Sequence, residues 1–178
     1  MPRKPTAAPR SDNRQSAPPP VYVTTMPSLV GELLLTSDGT ALTGIHMGPD
    51  DIGPEGRDDW VEGGCKLLDE ARRQLTEYFA GTRRTFKLPL RSGGSEFQQR
   101  VWTALQTIPY GTTMSYREVA QLIHEPRAAR AVGMANGKNP LCIVVPCHRV
   151  IASDGSVSGH GGGLERRVAL LKLENVPL

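Results

Sequence analysis

The sequence predicts an α+β fold made of two small domains. Its 178 residues allow one domain of ordinary size or two small ones. In the first half, short apolar stretches alternate with turn residues, whereas apolar residues at helical spacing dominate the second half. The run Ser92-Gly93-Gly94-Ser95 between the halves is typical of a hinge. We therefore expect a tail over residues 1–20, an N-terminal α/β domain over residues 21–91 and a C-terminal domain over residues 92–178.

Residues 1–20 are rich in proline and poor in apolar side chains. Their net charge is +3, from four basic residues and one acidic residue. A segment of this kind cannot bury enough apolar surface to offset the entropy lost on ordering it. The composition therefore predicts a disordered basic tail, which is either a solvated extension without a specific role or a weak attractant for nucleic acid.

Short apolar stretches broken by turn residues predict strands at the start of the N-terminal domain. They cover Val21–Thr25, Gly31–Thr36 and Ala41–Met47. The dipeptide Asp38-Gly39 between the last two stretches is a strong signal for a hairpin. The acidic, proline-containing segment Gly48–Asp59 that follows is typical of a loop.

An amphipathic helix is predicted next, because apolar residues recur at three- and four-residue spacing and a glycine stop follows at Gly81. These apolar residues are Leu67, Leu68, Ala71, Leu75, Tyr78 and Phe79. A strand near Thr85–Leu90 is expected to complete the domain. Cys65 lies at the start of the helix and is interpreted as a packed or partly exposed bystander rather than a nucleophile.

Three helices are predicted in the C-terminal domain. Ser95 suits the N-cap of the first helix, and Ser115 suits the N-cap of the second. A turn at Glu125-Pro126 precedes the third helix, which is expected over residues 127–135. Two short helices joined by a tight turn form the helix-turn-helix pattern.

The apolar run Leu141–Val145 predicts a buried strand, and Cys147 and His148 lie just beyond it. A thiol attacks as its thiolate, and a neighbouring base or positive charge makes the thiolate available near neutral pH. Neighbouring side chains on an extended backbone point in opposite directions, so a direct hydrogen bond between the two is not assured. The alternative is a half-buried cysteine followed by a solvent-facing basic pair, His148 and Arg149.

Composition argues against several classes of protein. The three cysteines have neither framework nor zinc-ligand spacing, which argues against a disulfide scaffold and a structural metal. The longest apolar runs are too short to span a bilayer, and the first residues lack the apolar core of a signal sequence. We therefore expect a cytoplasmic protein with no metal and no membrane partner.

The overall net charge of +3 is unevenly distributed. Residues 21–94 carry 8 basic and 11 acidic side chains, whereas residues 95–178 carry 9 basic and 6 acidic ones. The positive charge therefore lies in the tail and in the segment that holds Cys147. This distribution suits a nucleic-acid partner, because contacts to phosphates supply most sequence-independent affinity, although a solvated surface would also explain it.

The pentapeptide Pro146-Cys147-His148-Arg149-Val150 resembles the active-site signature of the O6-alkylguanine-DNA alkyltransferases, also called methylated-DNA–protein-cysteine methyltransferases. Further segments match that family in order and spacing over roughly residues 95–175. They are Phe97–Trp102, Ile108–Gly111, Ser115-Tyr116, Ala128–Gly133, Asn139-Pro140, Gly162–Leu164, Leu170-Leu171 and Glu174. A resemblance this long is far more specific than a single cysteine–histidine pair.

The resemblance implies a ribonuclease-H-like N-terminal α/β domain and a C-terminal helical domain with a winged helix-turn-helix-like DNA-binding motif. It implies a DNA repair protein that transfers the alkyl group of O6-methylguanine, and less well of O4-methylthymine, to its own cysteine. The transfer would be irreversible, would occur once per molecule and would need no cofactor. The expected partner is double-stranded DNA with alkylated bases, bound by a monomer through the minor groove with the damaged base flipped out.

The resemblance also assigns catalytic roles. Cys147 is the alkyl acceptor, His148 activates it through a bridging water, and Glu174 orients the imidazole. Tyr116 donates a hydrogen bond to the departing guanine, and Asn139 ties the helix-turn-helix to the active-site segment. These five residues form the predicted catalytic set.

DNA-binding and base-pocket residues follow from the same resemblance. Arg130 is expected to fill the gap left by the flipped nucleotide, or else to contact a phosphate as an ordinary surface arginine. Ala129, Ser115 and Tyr116 complete the expected DNA-binding set.

The expected base pocket is formed by Val150, His160 and Gly161. Many members of the family carry an aromatic residue, usually tyrosine, where this chain has His160. An imidazole covers less area than a phenol and can be protonated, which bears on the size of the alkyl group that the pocket accepts.

Three other functions remain as alternatives. Alkyltransferase-like proteins bind lesions without catalysis, but they lack the acceptor cysteine that is present here. Fused regulators of transcription carry an N-terminal zinc–cysteine module, and the cysteine-free tail offers no counterpart. A cysteine hydrolase would call for a nucleophile at a helix N-terminus and a distant histidine, neither of which this sequence predicts.

Overall fold

A computed structural model of the protein describes residues 19–48, 59–159 and 163–178. Three of the sequence predictions therefore lie wholly or mostly outside the described residues. These are the disordered tail, the loop Gly48–Asp59 and the two pocket residues His160 and Gly161.

A four-stranded sheet forms the first domain. Its strands are β1 (Val21–Met26), β2 (Leu33–Ser37), β3 (Leu42–His46) and β4 (Trp60–Glu62), in the spatial order β3-β2-β1-β4. The pairs β1–β2 and β2–β3 are antiparallel, whereas β4 runs parallel to β1. Strand β4 was not predicted, because three residues after an acidic segment give too weak a pattern.

The predicted hairpin between β2 and β3 is confirmed. Asp38 accepts hydrogen bonds from the backbone amides of Thr40 and Ala41 through one carboxylate oxygen, at 2.8 Å each. Gly39 has a φ of 90°, a conformation that glycine adopts without the steric cost of a side chain. The hydrogen bonds and the glycine fix the turn, and the turn fixes the register of the two strands.

Helix α1 (Lys66–Phe79) packs one face on the sheet, and this prediction is confirmed. Its buried apolar residues are Leu68, Ala71, Leu75 and Tyr78. The predicted strand at Thr85–Leu90 is wrong, because only Leu90 forms an isolated bridge, to Leu42. Within that segment, the backbone of Lys87 instead exchanges two hydrogen bonds with the Gln74 side chain of α1, at 2.8 and 3.1 Å.

Three helices follow in the C-terminal domain: α2 (Glu96–Leu105), α3 (Tyr116–Leu122) and α4 (Ala129–Gly137). Ser95 and Ser115 both cap their helices through complete capping boxes, as the sequence predicted. Helix α4 begins two residues later than expected. The indole N–H of the buried Trp102 on α2 donates to the carbonyl of Ala135 on α4 at 2.9 Å, which fixes the spacing of these helices.

The predicted strand at Leu141–Val145 is also wrong. The segment forms a tight turn, in which the Val145 amide donates to the Leu141 carbonyl at 2.8 Å. Ile143 has a φ of 74°, which is rare for a β-branched residue. Apolar β-branched residues favour strands in general, but here burial of the turn by both domains prevails over that preference.

The chain after the turn continues into the segment that carries Cys147. Cys147–Arg149 form one turn of 3-10 helix, which leads into β6 (Val150–Ile151). Strand β6 pairs in parallel with β5 (Met114–Ser115), the two residues before α3. Helix α5 (Gly163–Leu173) then packs against the 3-10 turn.

One apolar core joins the two domains. It includes residues from the sheet and α1 together with residues from the helices and the turn, such as Leu35, Leu75, Val101, Ile108 and Leu141. Continuous packing of this kind holds side chains from both domains at fixed positions. No described helix combines the length and the apolarity needed to cross a membrane.

Candidate active site

Cys147 begins the 3-10 turn at the junction of α4, α5 and the tight turn. Its side chain is half-buried, and its amide donates to the Val145 carbonyl at 2.8 Å. Its carbonyl accepts from Asn136 of α4 at 3.3 Å and from Arg167 of α5 at 2.9 Å. Two helices therefore fix the backbone that carries the thiol.

The surroundings of Cys147 lower the pKa of its thiol to about 6. The largest cause is a hydrogen bond from the Cys142 thiol, and burial acts in the opposite direction. The positive charge of a protonated His148, a hydrogen bond from Asn139 and the charge of Arg167 add to the lowering. A thiol with this pKa is mostly thiolate at neutral pH, which is the nucleophilic form.

His148 is buried and faces a buried carboxylate. Its Nε2–H donates to Oε1 of Glu174 at 2.7 Å, because an ionised carboxylate is an acceptor only. This contact leaves Nδ1 as the basic nitrogen of the neutral ring. Among the described residues, Nδ1 has no hydrogen-bond partner.

A small cavity is lined by both Cys147 and His148. Its volume is about 20 Å³, and its lining includes Cys147, His148, Asn136 and Asn139. A volume of this size holds one water molecule where polar groups surround it. The side-chain oxygen of Asn136, like His148 Nδ1, is buried and has no partner within the described part of the chain.

Glu174 lies directly after α5, and its side-chain carboxylate accepts hydrogen bonds from four residues. Besides His148, Arg149 donates to both carboxylate oxygens, from Nε at 2.9 Å and from Nη2 at 3.0 Å. The Tyr78 hydroxyl donates at 2.7 Å and the Gly111 amide at 3.0 Å. Burial alone would raise the pKa of Glu174, but the hydrogen bonds from His148 and Arg149 hold it well below its usual range.

Arg149 is buried beside the same carboxylate. Its Nη1 donates to the Ile108 carbonyl at 2.7 Å, and its guanidinium lies 5.8 Å from the centre of the Tyr110 ring. The alternative of a solvent-facing basic pair is therefore wrong, since both His148 and Arg149 are buried. The reason is the 3-10 turn, which directs both side chains toward Glu174.

Asn139 links the end of α4 to the tight turn. Its Nδ2 donates to the Val145 carbonyl at 2.8 Å, and its Oδ1 accepts from the Leu141 amide at 3.0 Å. The side chain is buried. This pair of bonds keeps the turn, and with it Cys147, at a fixed distance from α4.

Tyr116 is the first residue of α3 and projects toward α5. Its hydroxyl is 3.1 Å from Ser158 Oγ and 3.5 Å from Arg167 Nη1. Arg167 is buried and also donates to the carbonyls of Ser158 at 2.5 Å and Val150 at 2.6 Å. Arg167 therefore connects Tyr116, Val150 and the Cys147 backbone.

The predicted DNA-binding residues lie on the first turns of α3 and α4. Arg130 is exposed near the start of α4, and Ala129 next to it is half-buried. Ser115 is half-buried, and its hydroxyl accepts from the Glu118 amide at 3.2 Å. Helix α4 packs against Tyr116 at Gly133, where a Cβ would lie at an ordinary contact distance of 3.7 Å from the ring.

Three side chains of the site were not predicted from the sequence. They are Tyr78, Arg149 in its buried ion pair with Glu174, and Arg167. Arg149 was visible within the pentapeptide, but its burial was not. Tyr78 was predicted only as a core residue of α1. Arg167 follows another arginine in a helix, and no local pattern separates it from a surface residue.

Comparisons with known proteins agree with this geometry. A model of the ribonuclease-like domain of 6-O-methylguanine DNA methyltransferase matches residues 21–92, and a model of the DNA-binding domain of the same proteins matches residues 96–176. A methylated-DNA–protein-cysteine methyltransferase from Mycobacterium leprae is 48% identical over 155 residues, which are 86% of this chain and 92% of the relative. The expected pairing of a ribonuclease-like domain with a DNA-binding domain is confirmed.

Solved structures give the same result. The crystal structure of the Mycobacterium tuberculosis O6-methylguanine methyltransferase is similar with a TM-score of 0.80 and 48% identity, covering 86% of this chain and 92% of that one. A second structure, of the Mycobacterium tuberculosis protein OGT in complex with DNA, is similar with a TM-score of 0.80 and 47% identity. It covers 86% of this chain and 93% of that one.

Proposed function

The chain belongs to the 6-O-methylguanine DNA methyltransferase family, and on that premise we propose that it repairs DNA by moving the alkyl group of O6-methylguanine to Cys147. The observation that carries the proposal is the arrangement of Cys147 beside the buried pair of His148 and Glu174. A nucleophile, a base and a group that orients the base are the parts that such a displacement needs.

The proposed reaction is a single in-line displacement. The Cys147 thiolate attacks the methyl carbon, a carbon–sulfur bond forms, and the bond from that carbon to O6 breaks. The electron pair stays on guanine, which departs as an anion and takes up a proton. The thioether has no built-in route back to the thiol, so each molecule acts once. As a second substrate, O4-methylthymine would be accepted less well than O6-methylguanine.

The His148–Glu174 pair would generate the thiolate. Because Nε2–H is bound to Glu174, the free electron pair of the neutral ring is on Nδ1, and His148 lines the small cavity that Cys147 also lines. A water in that cavity would carry the thiol proton to Nδ1, and the resulting imidazolium would be stabilised by Glu174. This role needs no cofactor and no metal.

Tyr116 is proposed to stabilise the leaving guanine. A phenol donor aimed at the purine edge is worth most where negative charge develops in the transition state. The Arg167 guanidinium beside the hydroxyl supports this role, as it offers a positive charge to the same position. Val150, His160 and Gly161 are proposed to line the base pocket, with backbone groups near Val150 and Gly161 contacting the base edge.

We propose that α4 enters the minor groove. Chemistry on a base within a duplex requires the base to leave the stack, and Arg130 is exposed on α4 where it could occupy the gap. The small residue Ala129 beside it permits close approach to the DNA backbone, and Ser115 and Tyr116 lie at the start of α3. The minor groove is read degenerately, which suits repair in any sequence context.

Finer points of organisation are also proposals. We propose a monomer in the cytoplasm, with a tail over residues 1–20 and domains over residues 21–91 and 92–178. The matched family ranges, 21–92 and 96–176, support these limits. The non-catalytic lesion-binding alternative is not favoured, because the acceptor cysteine is present beside a buried base.

The test is the intact mass of the protein after mixing with a duplex that contains one O6-methylguanine. We expect a gain of about 14 Da, the mass of hydrogen replaced by methyl, which saturates at one per molecule. Cys147→Ala should show no gain, whereas Cys65→Ala should react as the unchanged protein does. Binding of the duplex without any gain in mass would overturn alkyl transfer in favour of a lesion-binding module.

A further inference from the structure

A second thiol, Cys142, contacts the acceptor thiol. It hydrogen-bonds the sulfur of Cys147, and its own sulfur is 3.6 Å from the Asn139 carbonyl oxygen. Both cysteines line the same cavity of about 20 Å³. Both side chains are half-buried, and neither is part of a disulfide in this structure.

The tight turn is what brings the two cysteines together. In a strand, residues five positions apart would be separated by about 17 Å, at 3.3–3.4 Å for each residue. Here the Val144 amide donates to the Cys142 carbonyl at 2.9 Å, and Ile143 has the left-handed φ of 74°. The chain therefore reverses directly after Cys142 and returns toward it at Cys147.

We propose that Cys142 is a resolving cysteine, which forms a reversible disulfide with Cys147 when the protein meets a hydroperoxide. This activity is separate from alkyl transfer and does not depend on it. Its consequence is that the acceptor is blocked but preserved until a thiol reductant restores it.

The chemistry balances in two steps. The Cys147 thiolate attacks one oxygen of the hydroperoxide, a sulfur–oxygen bond forms, the oxygen–oxygen bond breaks, and hydroxide or alkoxide leaves. The sulfur has then lost two electrons and is a sulfenic acid. The Cys142 sulfur attacks it, a sulfur–sulfur bond replaces the sulfur–oxygen bond, and water leaves with the Cys142 proton.

The position of Cys142 suits this role better than that of the third cysteine. A low pKa and partial exposure make a cysteine prone to oxidation, and a neighbouring thiol diverts the sulfenic acid from irreversible oxidation. Cys65 is buried at the start of α1, and its sulfur lies 3.8 Å from Ser37 Oγ in the sheet of the other domain. Cys65 is therefore the natural control.

Trypsin provides a direct test, because cleavage after Lys138 and Arg149 places Cys142 and Cys147 in one peptide, 139–149. Cys65 falls in a different peptide, 58–66. The protein is treated with hydrogen peroxide in the absence of DNA, unfolded with a thiol-capping reagent and digested. We expect peptide 139–149 to carry no cap and to be lighter than the reduced peptide by about 2 Da, with both caps restored by prior reduction.

Two variants complete the test. In Cys142→Ser, peroxide should instead add about 32 Da to peptide 139–149, the mass of a sulfinic acid, and a thiol reductant should not remove it. Cys65→Ser should form the disulfide as the unchanged protein does. A wild-type peptide that shows only sulfinic or sulfonic acid at Cys147, or a Cys142→Ser variant that recovers both its mass and its thiol on reduction, would overturn the proposal. Because no DNA is used, failure here says nothing against alkyl transfer.

Discussion

Glu174 is the residue on which the site depends most. Its carboxylate accepts hydrogen bonds from the 3-10 turn, from α1 and from the loop after α2. The loop contact requires glycine, because Gly111 has a φ of 74° and a Cβ there would lie 3.0 Å from the Glu174 carbonyl oxygen. The carboxylate therefore connects three separate segments of the chain and also fixes the orientation of the His148 ring.

Replacement of Glu174 by Gln should destabilise the protein severely. The buried Arg149 would lose its counter-charge, and breaking a buried ion pair from one side costs about 3–5 kcal/mol. The pKa of Glu174 is lowered in the folded state, so its contribution is present above the unfolded pKa and is lost as pH falls through the folded one. Urea unfolding should therefore show the full deficit at pH 7 and a smaller but still measurable deficit at pH 3, because pH 3 lies between the unfolded and the folded pKa.

A matched control for this variant is Glu165→Gln, on the exposed first turn of α5. That change should alter the free energy of unfolding by no more than about 0.5 kcal/mol. Equal effects of the two substitutions at pH 7 would contradict the central role of Glu174.

The pH dependence of alkyl transfer should follow the Cys147 thiol. Its pKa is lowered to about 6, so the thiolate fraction falls on the acid side of that value and is nearly complete above pH 7. The rate of mass gain should rise about tenfold for each pH unit below 6 and level off above 7. A rate that keeps rising to pH 8.5 would indicate an ordinary thiol instead.

At the scale of helices and strands, predictions from local signals succeeded. The Asp38-Gly39 hairpin and the caps at Ser95 and Ser115 depend on residues within four positions of one another, so the sequence alone determines them. The strand expected at Leu141–Val145 does not form, because a turn that is buried on both sides requires the same apolar residues as a buried strand. Local pattern does not distinguish the two, and only the packing of both domains decides.

Removal of the Ser115 cap should affect the site as well as the helix. Ser115→Ala should lower the free energy of unfolding by about 1 kcal/mol, the usual cost of losing an N-cap. Because Tyr116 is the first residue of α3, fraying there should also slow alkyl transfer.

Ser95→Ala provides the comparison, since it removes the same capping box from α2, which does not carry Tyr116. Its cost in stability should be similar, and its rate of transfer at saturating DNA should remain that of the unchanged protein. If both variants slowed transfer equally, the loss would reflect general destabilisation rather than the placement of Tyr116.

At the scale of the whole molecule, the site belongs to both domains. Tyr78 on α1 donates across the domain boundary to Glu174, and burial together with the Glu174 charge raises the pKa of its hydroxyl. No sequence signal joins residues 96 positions apart, which is why this contact and those of Arg149 and Arg167 could not be predicted. Cys147 and His148, in contrast, are neighbours in sequence, and their roles as acceptor and base are predicted from the resemblance.

The cross-domain contact can be tested with Tyr78→Phe. Loss of a hydrogen bond to a buried charge should cost about 1.5–3 kcal/mol and should slow alkyl transfer, because the carboxylate would be held less firmly. Tyr110→Phe removes a hydroxyl that donates to the neutral Leu173 carbonyl at 3.1 Å, and should cost only about 0.5–1.5 kcal/mol. Urea unfolding and transfer rates of the two variants measure the difference, and equal losses would argue against a special role for Tyr78.

Because Trp102 is hydrogen-bonded to Ala135 of α4, its fluorescence is an intrinsic probe of the position of α4. The indole is buried between α2 and the helix that carries Arg130, so displacement of that helix would alter the polarity around the ring and shift its emission. The second tryptophan, Trp60, lies in β4 of the other domain and can be replaced by Phe to remove its background. Unlabelled protein could then report, in real time, how α4 responds to a duplex.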